Sequence, residues 1–290
     1  LITVAHYPAL GLPVTTSSSF IDWIMTPRKR TRYTLPLDFL LRAGLSVLLG
    51  RPRSFQKDAS WLLARRGTSL KVTGAAHISP EEKYIFTINH YTRTHFNAWW
   101  AALVISALTG QDISWIMTSR WNFEGKWYAG FLQKVTRWLF ARLAQMYGLI
   151  PTPPVPVCDE DAAERGAAVR RALNLARSGD IAAFGIMPEG RDFGSGQLGW
   201  PPYAAGRFVY HLNRMGYRIL PVGLYEEEGQ IVVHFGRPYD LGEPHSHASG
   251  DVDLTTFRLL TRRQTDLLLT RTVMLRIAVL LPEAMRGEFR

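Results

Sequence analysis

Short apolar runs alternate with longer amphipathic segments along most of this chain, starting near residue 68. The runs read as strands, because they are brief, rich in β-branched and aromatic residues and bounded by polar or turn-forming residues. We predict strands at 70–72, 84–88, 113–117, 148–150, 181–187, 219–224 and 231–235, and helices near 96–109, 127–146, 161–178, 203–215 and 254–281. Such alternation predicts an α/β fold with a mostly parallel, mixed sheet flanked by helices.

Four regions follow from the same pattern. We expect a loosely ordered basic arm at 1–34, an N-terminal amphipathic helical segment at 35–66, an α/β domain at 67–245 and a C-terminal helical segment at 246–290. In the predicted helix at 127–146, the apolar residues lie on one stripe, as in an amphipathic helix. Its members are Tyr128, Phe131, Leu132, Val135, Trp138 and Leu139.

Charge and composition indicate which binding partners and which cellular compartment to expect. The chain is 47% hydrophobic and 20% charged, as globular proteins are, and its net charge of +10 favours an anionic partner. The single Cys158 excludes an intrachain disulfide framework and a cysteine-built metal site, which favours a reducing compartment. The basic residues are spread along the chain and form no known nucleic-acid motif, so no nucleic acid is expected.

An apolar segment at 35–49 lies within the most basic part of the chain. It is shorter than the roughly twenty residues needed to span a bilayer, and arginines flank it on both sides. These properties fit a helix lying on an anionic membrane surface, and so a peripheral protein of the cytoplasmic face. A helix packed on the domain with solvated arginines is the alternative.

Two predicted strands end abruptly in polar residues. The run at 84–88 ends in Asn89-His90, and the run at 181–187 ends in Pro188-Glu189-Gly190-Arg191. Strand ends of this kind place polar and reactive side chains at the carboxyl edge of an α/β sheet, where the sites of such folds lie. An imidazole can take a proton from a hydroxyl near neutral pH, so His90 is the candidate base, although a structural histidine is the alternative.

Further motifs follow in a fixed order. They are Asn89-His90-Tyr91-Thr92-Arg93-Thr94-His95, Met187-Pro188-Glu189-Gly190-Arg191, Gly196-Gln197-Leu198, Ala204-Ala205-Gly206-Arg207, Leu220-Pro221-Val222-Gly223-Leu224 and Phe235-Gly236-Arg237-Pro238. Together they resemble the glycerolphosphate and lysophosphatidate acyltransferase family over residues 70 to 240. The family's first motif is His, four residues and Asp, and this chain has His95 at the aspartate position. The family's second block is matched at most by Gly148-Leu149-Ile150, without its arginine.

The resemblance implies a function and a set of site residues. It implies transfer of a fatty acyl group from acyl-CoA or acyl carrier protein to a glycerophospholipid precursor, with no resident cofactor. His90, His95 and Glu189 would be catalytic, and Asn89, Arg93, Gly190 and Arg191 would bind substrate. Because His95 brings no carboxylate, catalysis requires an acid from elsewhere, and Glu189 is the nearest candidate by motif. Without such an acid, a non-catalytic lipid-binding protein on the same fold is the alternative. A metal site built from His90, His95 and Glu189 has no recognisable ligand spacing.

Overall fold

The computed structural model describes residues 33–93, 96–121, 123, 127–155, 161–193, 196–242 and 260–290. Its helices are α1 (Leu37–Leu49), α2 (Phe55–Arg66), α3 (Ala98–Thr109), α4 (Ala129–Tyr147), α5 (Ala162–Ser178), α6 (Ala205–Asn213) and α7 (Arg262–Ala278). Its strands are β1 (Leu70–Thr73), β2 (Tyr84–Ile88), β3 (Ile113–Thr118), β4 (Ile150–Thr152), β5 (Ala183–Ile186), β6 (Arg218–Glu227) and β7 (Gln230–Phe235). Each predicted strand is present. Residues 1–32 of the predicted arm and residues 254–259 of the predicted last helix lie outside the described residues.

Within the described residues the strands form one mixed sheet in the order β1-β7-β6-β2-β5-β3-β4. Every neighbouring pair is parallel except β6 and β7, so the predicted fold class is confirmed. Side chains alternate between the two faces of a strand. Along β2, Phe86 and Ile88 enter one apolar core with α2 and α3, whereas Ile85 enters a second core with α5, α6 and α7. Burial on both faces explains why β2 reads as a continuous apolar run.

The two N-terminal helices have clear sequence signals at their ends. Ser54 caps α2 by accepting a hydrogen bond from the Lys57 backbone N–H, and Gly67 ends the helix in the left-handed conformation that glycine tolerates. Helix α1 packs beside α4, and the backbone N–H of Arg53 donates to the carbonyl of Met146 at 2.9 Å. The region predicted as one amphipathic segment is therefore two helices, which pack against the α/β domain.

The apolar stripe predicted for α4 is only partly buried. Phe131, Val135 and Trp138 are exposed, and the buried residues of the helix are Thr136, Phe140, Ala144 and Met146. Ala144 belongs to the first core, and the ring of Phe140 packs edge-on against the ring of Trp121. Among the described helices, none has both the length and the apolarity to cross a bilayer.

The C-terminal segment belongs to the second core. Thr261 and Gln264 form a reciprocal capping box that starts α7. Gly206 of α6 lies against the backbone of Thr270, where a Cβ would come within 2.4 Å of a backbone nitrogen, so only glycine allows this close helix packing. Beyond α7, residues 281–289 turn back toward the carboxyl edge of the sheet, where the carbonyl of Met285 accepts a hydrogen bond from the Leu198 backbone.

Candidate functional site

The candidate site lies where β2 and β5 end, because these strands are direct neighbours. Thr87 of β2 pairs with Ile186 of β5, so the residues that follow each strand emerge side by side. After β5 the chain makes a tight turn, in which the backbone N–H of Gly190 donates to the carbonyl of Met187 at 3.0 Å. Proline suits the second position of such a turn, and Gly190 has φ +65°, a value that favours glycine.

Glu189 is directed inward by this turn and is only 2% exposed. Its Oε2 accepts a hydrogen bond from the backbone N–H of His90 at 2.6 Å, and its Oε1 accepts one from the backbone N–H of Gly199 at 2.8 Å. Burial raises the pKa of Glu189 from its ordinary 4.5 to about 7, although both backbone N–H groups oppose the shift. The sequence predicts that Glu189 and His90 lie close together at the edge of the sheet, and the two residues are in contact. The contact is to the backbone of His90.

The imidazole of His90 has a different carboxylate as its neighbour. Oδ1 of Asp192 lies 2.6 Å from Nδ1 of His90, and the hydroxyl of Thr92 donates a hydrogen bond to the same oxygen. The close contact with the His90 imidazole lowers the pKa of Asp192, so this carboxylate is charged at neutral pH. A carboxylate at Nδ1 fixes the tautomer of a histidine and stabilises its protonated form. The arrangement can therefore act as a general base through Nε2 of His90.

Sequence reasoning did not identify Asp192. The sequence signal that could have indicated Asp192 as a site residue is its position directly after Arg191, three residues beyond Glu189 in the same predicted loop. An acid in that loop comes from the neighbouring strand end, so it reaches His90 across the sheet edge. His95, the residue at the family's aspartate position, lies outside the described residues.

The nitrogen and the oxygen of the Asn89 side-chain amide both form hydrogen bonds with β6. Its Nδ2 donates to the carbonyl of Leu224 and its Oδ1 accepts from the backbone N–H of Leu224, both at 2.8 Å. The residue is buried, and its amide continues the pairing between β2 and β6 beyond the last strand residue. Asn89 thus fixes the end of β2 from one side, while Glu189 fixes the His90 backbone from the other.

Three predicted substrate-binding residues lie on the surface beside His90. Arg93 is exposed and its guanidinium lies near the Tyr91 hydroxyl. Arg191 is exposed and its guanidinium lies 4.6 Å from the ring centre of Phe193. Gly190 is exposed at the turn. The two arginines offer cationic groups to an anionic substrate at this edge. In the described part of the chain, no three His, Cys, Asp or Glu side chains are grouped closely enough to hold a metal ion.

A pocket adjoins His90, and part of its wall comes from the C-terminal segment. Hydrogen bonds to the C-terminal segment hold the loop at 196–200 there. The backbone N–H of Leu198 donates to the carbonyl of Met285 at 2.8 Å, and Nε2 of Gln197 donates to the carbonyl of Ala284 at 3.0 Å. The sequence motifs gave no indication of this wall. The lining residues are Asn89, His90, Tyr91, Thr92, Glu189, Gly196, Gln197, Leu198, Leu281 and Met285.

Comparisons with known proteins give a distant structural likeness. No family model and no curated protein matches this chain. A solved structure, the 1-acyl-sn-glycerophosphate (LPA) acyltransferase PlsC from Thermotoga maritima, is similar with a TM-score of 0.41 and 14% sequence identity, over 81% of this chain and 89% of that chain. The site at His90 is defined by this chain's own contacts, independently of that likeness.

Proposed function

We propose that this protein is an acyltransferase that moves a fatty acyl group from acyl-CoA or acyl carrier protein to a glycerophospholipid precursor such as a lysophospholipid. The observation that carries the proposal is the 2.6 Å contact between Nδ1 of His90 and the carboxylate of Asp192. It supports catalysis over simple lipid binding, because a histidine that only lines a binding surface needs no charged partner. The order of motifs from Asn89-His90 to Phe235-Gly236-Arg237-Pro238 supports the choice of reaction.

In the proposed reaction, Nε2 of His90 takes the proton of the acceptor hydroxyl as its oxygen attacks the thioester carbonyl carbon. The tetrahedral intermediate collapses, the carbon–sulfur bond breaks, and the thiolate receives the proton from the imidazolium. The products are an ester and a free thiol, with no net proton change. Asp192 stabilises the imidazolium between the two proton transfers, and Glu189 keeps the His90 backbone at a fixed distance from the loop at Gly199.

The cationic side chains at the site suit substrates that carry phosphate. Arg93 and Arg191 are exposed at the same sheet edge as His90, and guanidinium groups bind phosphate through paired hydrogen bonds. Acyl-CoA and lysophospholipids with a phosphate group both meet this requirement. The acyl chain would enter along the apolar part of the pocket wall formed by Leu198, Leu281 and Met285.

The test is lipid mass spectrometry after incubation of the purified protein with acyl-CoA, or acyl carrier protein, and a panel of lysophospholipids. We expect a new diacyl lipid and release of free thiol with the native protein. His90→Ala should abolish both, whereas His211→Ala, at an exposed histidine on α6, should leave both unchanged. Acceptor binding without any transfer would contradict the proposal and favour a non-catalytic lipid-binding protein.

A further inference from the structure

Helix α1 turns its most apolar side away from the protein. Phe39, Ser46 and Val47 are buried, whereas six leucines remain exposed, among them Leu41 at 66%. The exposed set recurs at spacings of three and four residues, which places it along one side of the helix. It consists of Leu37, Leu40, Leu41, Leu45, Leu48 and Leu49. Helices of globular proteins normally direct such a stripe inward, whereas the described residues leave this side of α1 uncovered.

Helix α4, which packs beside α1, exposes a second apolar side. Phe131 is 71% exposed, and Val135 and Trp138 follow it at helical spacing. Trp127, in the turn just before the helix, is 96% exposed, and Trp121 is exposed as well. Tryptophan is enriched at membrane–water interfaces, because its ring is apolar and its indole N–H bonds to water or lipid head groups. Two adjacent helices thus each expose an apolar side, one of leucines and one rich in aromatic residues.

Basic residues predominate around this surface, although Arg137 of α4 is paired with Glu164 of α5. Helix α4 carries Lys134, Arg137 and Arg142 and contains no acidic residue. On α1, the acid is Asp38, which lies near Arg42 and Arg65. Anionic lipid complements such a surface. A second copy of the same face would bring like charges together, which disfavours a dimer through this surface.

We infer that α1 and α4, with Trp127, form one composite docking surface for an anionic lipid bilayer, and that the aromatic side of α4 is required as much as the leucines of α1. Both helices would lie in the plane of the interface, with their apolar sides among the acyl chains and their basic residues at the head groups. The inference extends membrane contact to a helix of the α/β domain. It is independent of the proposed acyl transfer, since no substrate or turnover is involved.

The experiment is cosedimentation of the full chain with vesicles of phosphatidylcholine alone or with one-third phosphatidylglycerol, at low and high salt. A double variant in α4, Phe131→Ser with Trp138→Ser, should lower the vesicle partition coefficient at least tenfold, as should Leu41→Ser with Leu45→Ser in α1. The matched control is Leu267→Ser with Val279→Ser, which removes two exposed apolar side chains near α7 and should change nothing. Circular dichroism melting verifies that each variant is folded.

A charge-reversal variant provides a second test, because it changes the charge of the surface and leaves the apolar side chains intact. Lys134→Glu should weaken binding to anionic vesicles and leave binding to neutral vesicles unchanged. Native-like binding by the α4 double variant, with loss only in the α1 variant, would overturn the composite surface. A concentration-dependent dimer by light scattering, abolished by the α4 double variant, would also overturn it, because the face would then be an interface between copies.

Discussion

Asp192 should matter through its charge, and Asp192→Asn isolates that contribution. Asparagine retains a side-chain oxygen that can accept a hydrogen bond from Nδ1 of His90, now 2.6 Å from Asp192, but it carries no charge. With about 4 Å between charge centres and an effective dielectric constant of about 40, the Coulomb stabilisation of the imidazolium is about 2 kcal/mol. The intermediate dielectric reflects the 53% exposure of the Asp192 side chain. The expected result is a fall in kcat of roughly thirtyfold.

Initial rates of ester formation, at saturating acceptor and donor, measure this effect. Asp180→Asn is the matched control, because Asp180 is exposed just before β5, at the opposite edge of the sheet. Since Asp192 is proposed to act through His90, adding Asp192→Asn to His90→Ala should cause no further loss. Equal rates for the native protein and Asp192→Asn would refute the assignment of Asp192 as the residue that positions the base.

Two other changes test the neighbouring residues. Glu189→Gln should remove a pH dependence of stability. The pKa of Glu189 is about 7 in the folded protein and 4.5 ordinarily, so the native protein binds this proton more tightly than the unfolded chain does. The free energy of unfolding of the native protein should therefore fall by on the order of 3 kcal/mol as the pH rises from 4.5 to about 7. Chemical denaturation of both proteins at pH 5 and pH 8 measures it, and parallel pH profiles would contradict the shift. Arg191→Lys, which loses the planar guanidinium, should raise the acceptor KM by an amount equivalent to very roughly 1–3 kcal/mol; an unchanged KM would assign Arg191 to structure alone.

The strands and their polar ends could be predicted because each depends on local sequence. Residues 84–88 form an unbroken apolar run, as a strand buried on both faces must, and Asn89-His90 ends it abruptly. The convergence of His90 with Glu189 followed from topology, since parallel strands end at one edge of a sheet. No knowledge of side-chain contacts was required for either step.

The remaining features depend on which groups meet in three dimensions. The carboxylate beside the His90 imidazole comes from Asp192, in a loop about a hundred residues away in sequence, and its one sequence signal is its position three residues beyond Glu189. Helix α4 has a clear apolar stripe, but periodicity does not tell whether a stripe faces a core or a membrane. Asn89 was expected to bind substrate, and only the strand order β6-β2 reveals that the nitrogen and the oxygen of its side-chain amide each form a hydrogen bond with the backbone of Leu224.

The wall of the pocket made by Leu281 and Met285 has a consequence for biosynthesis. Nε1 of Trp200 donates to the carboxylate of Glu288 at 2.6 Å, and the ring of Phe289, which is buried, lies 4.9 Å from the Trp200 ring. A nascent chain that has emerged only as far as β7 already contains His90, Glu189 and Asp192, but the loop at 196–200 still lacks this support. The pocket is therefore completed only after α7 and the residues at 281–289 have been made.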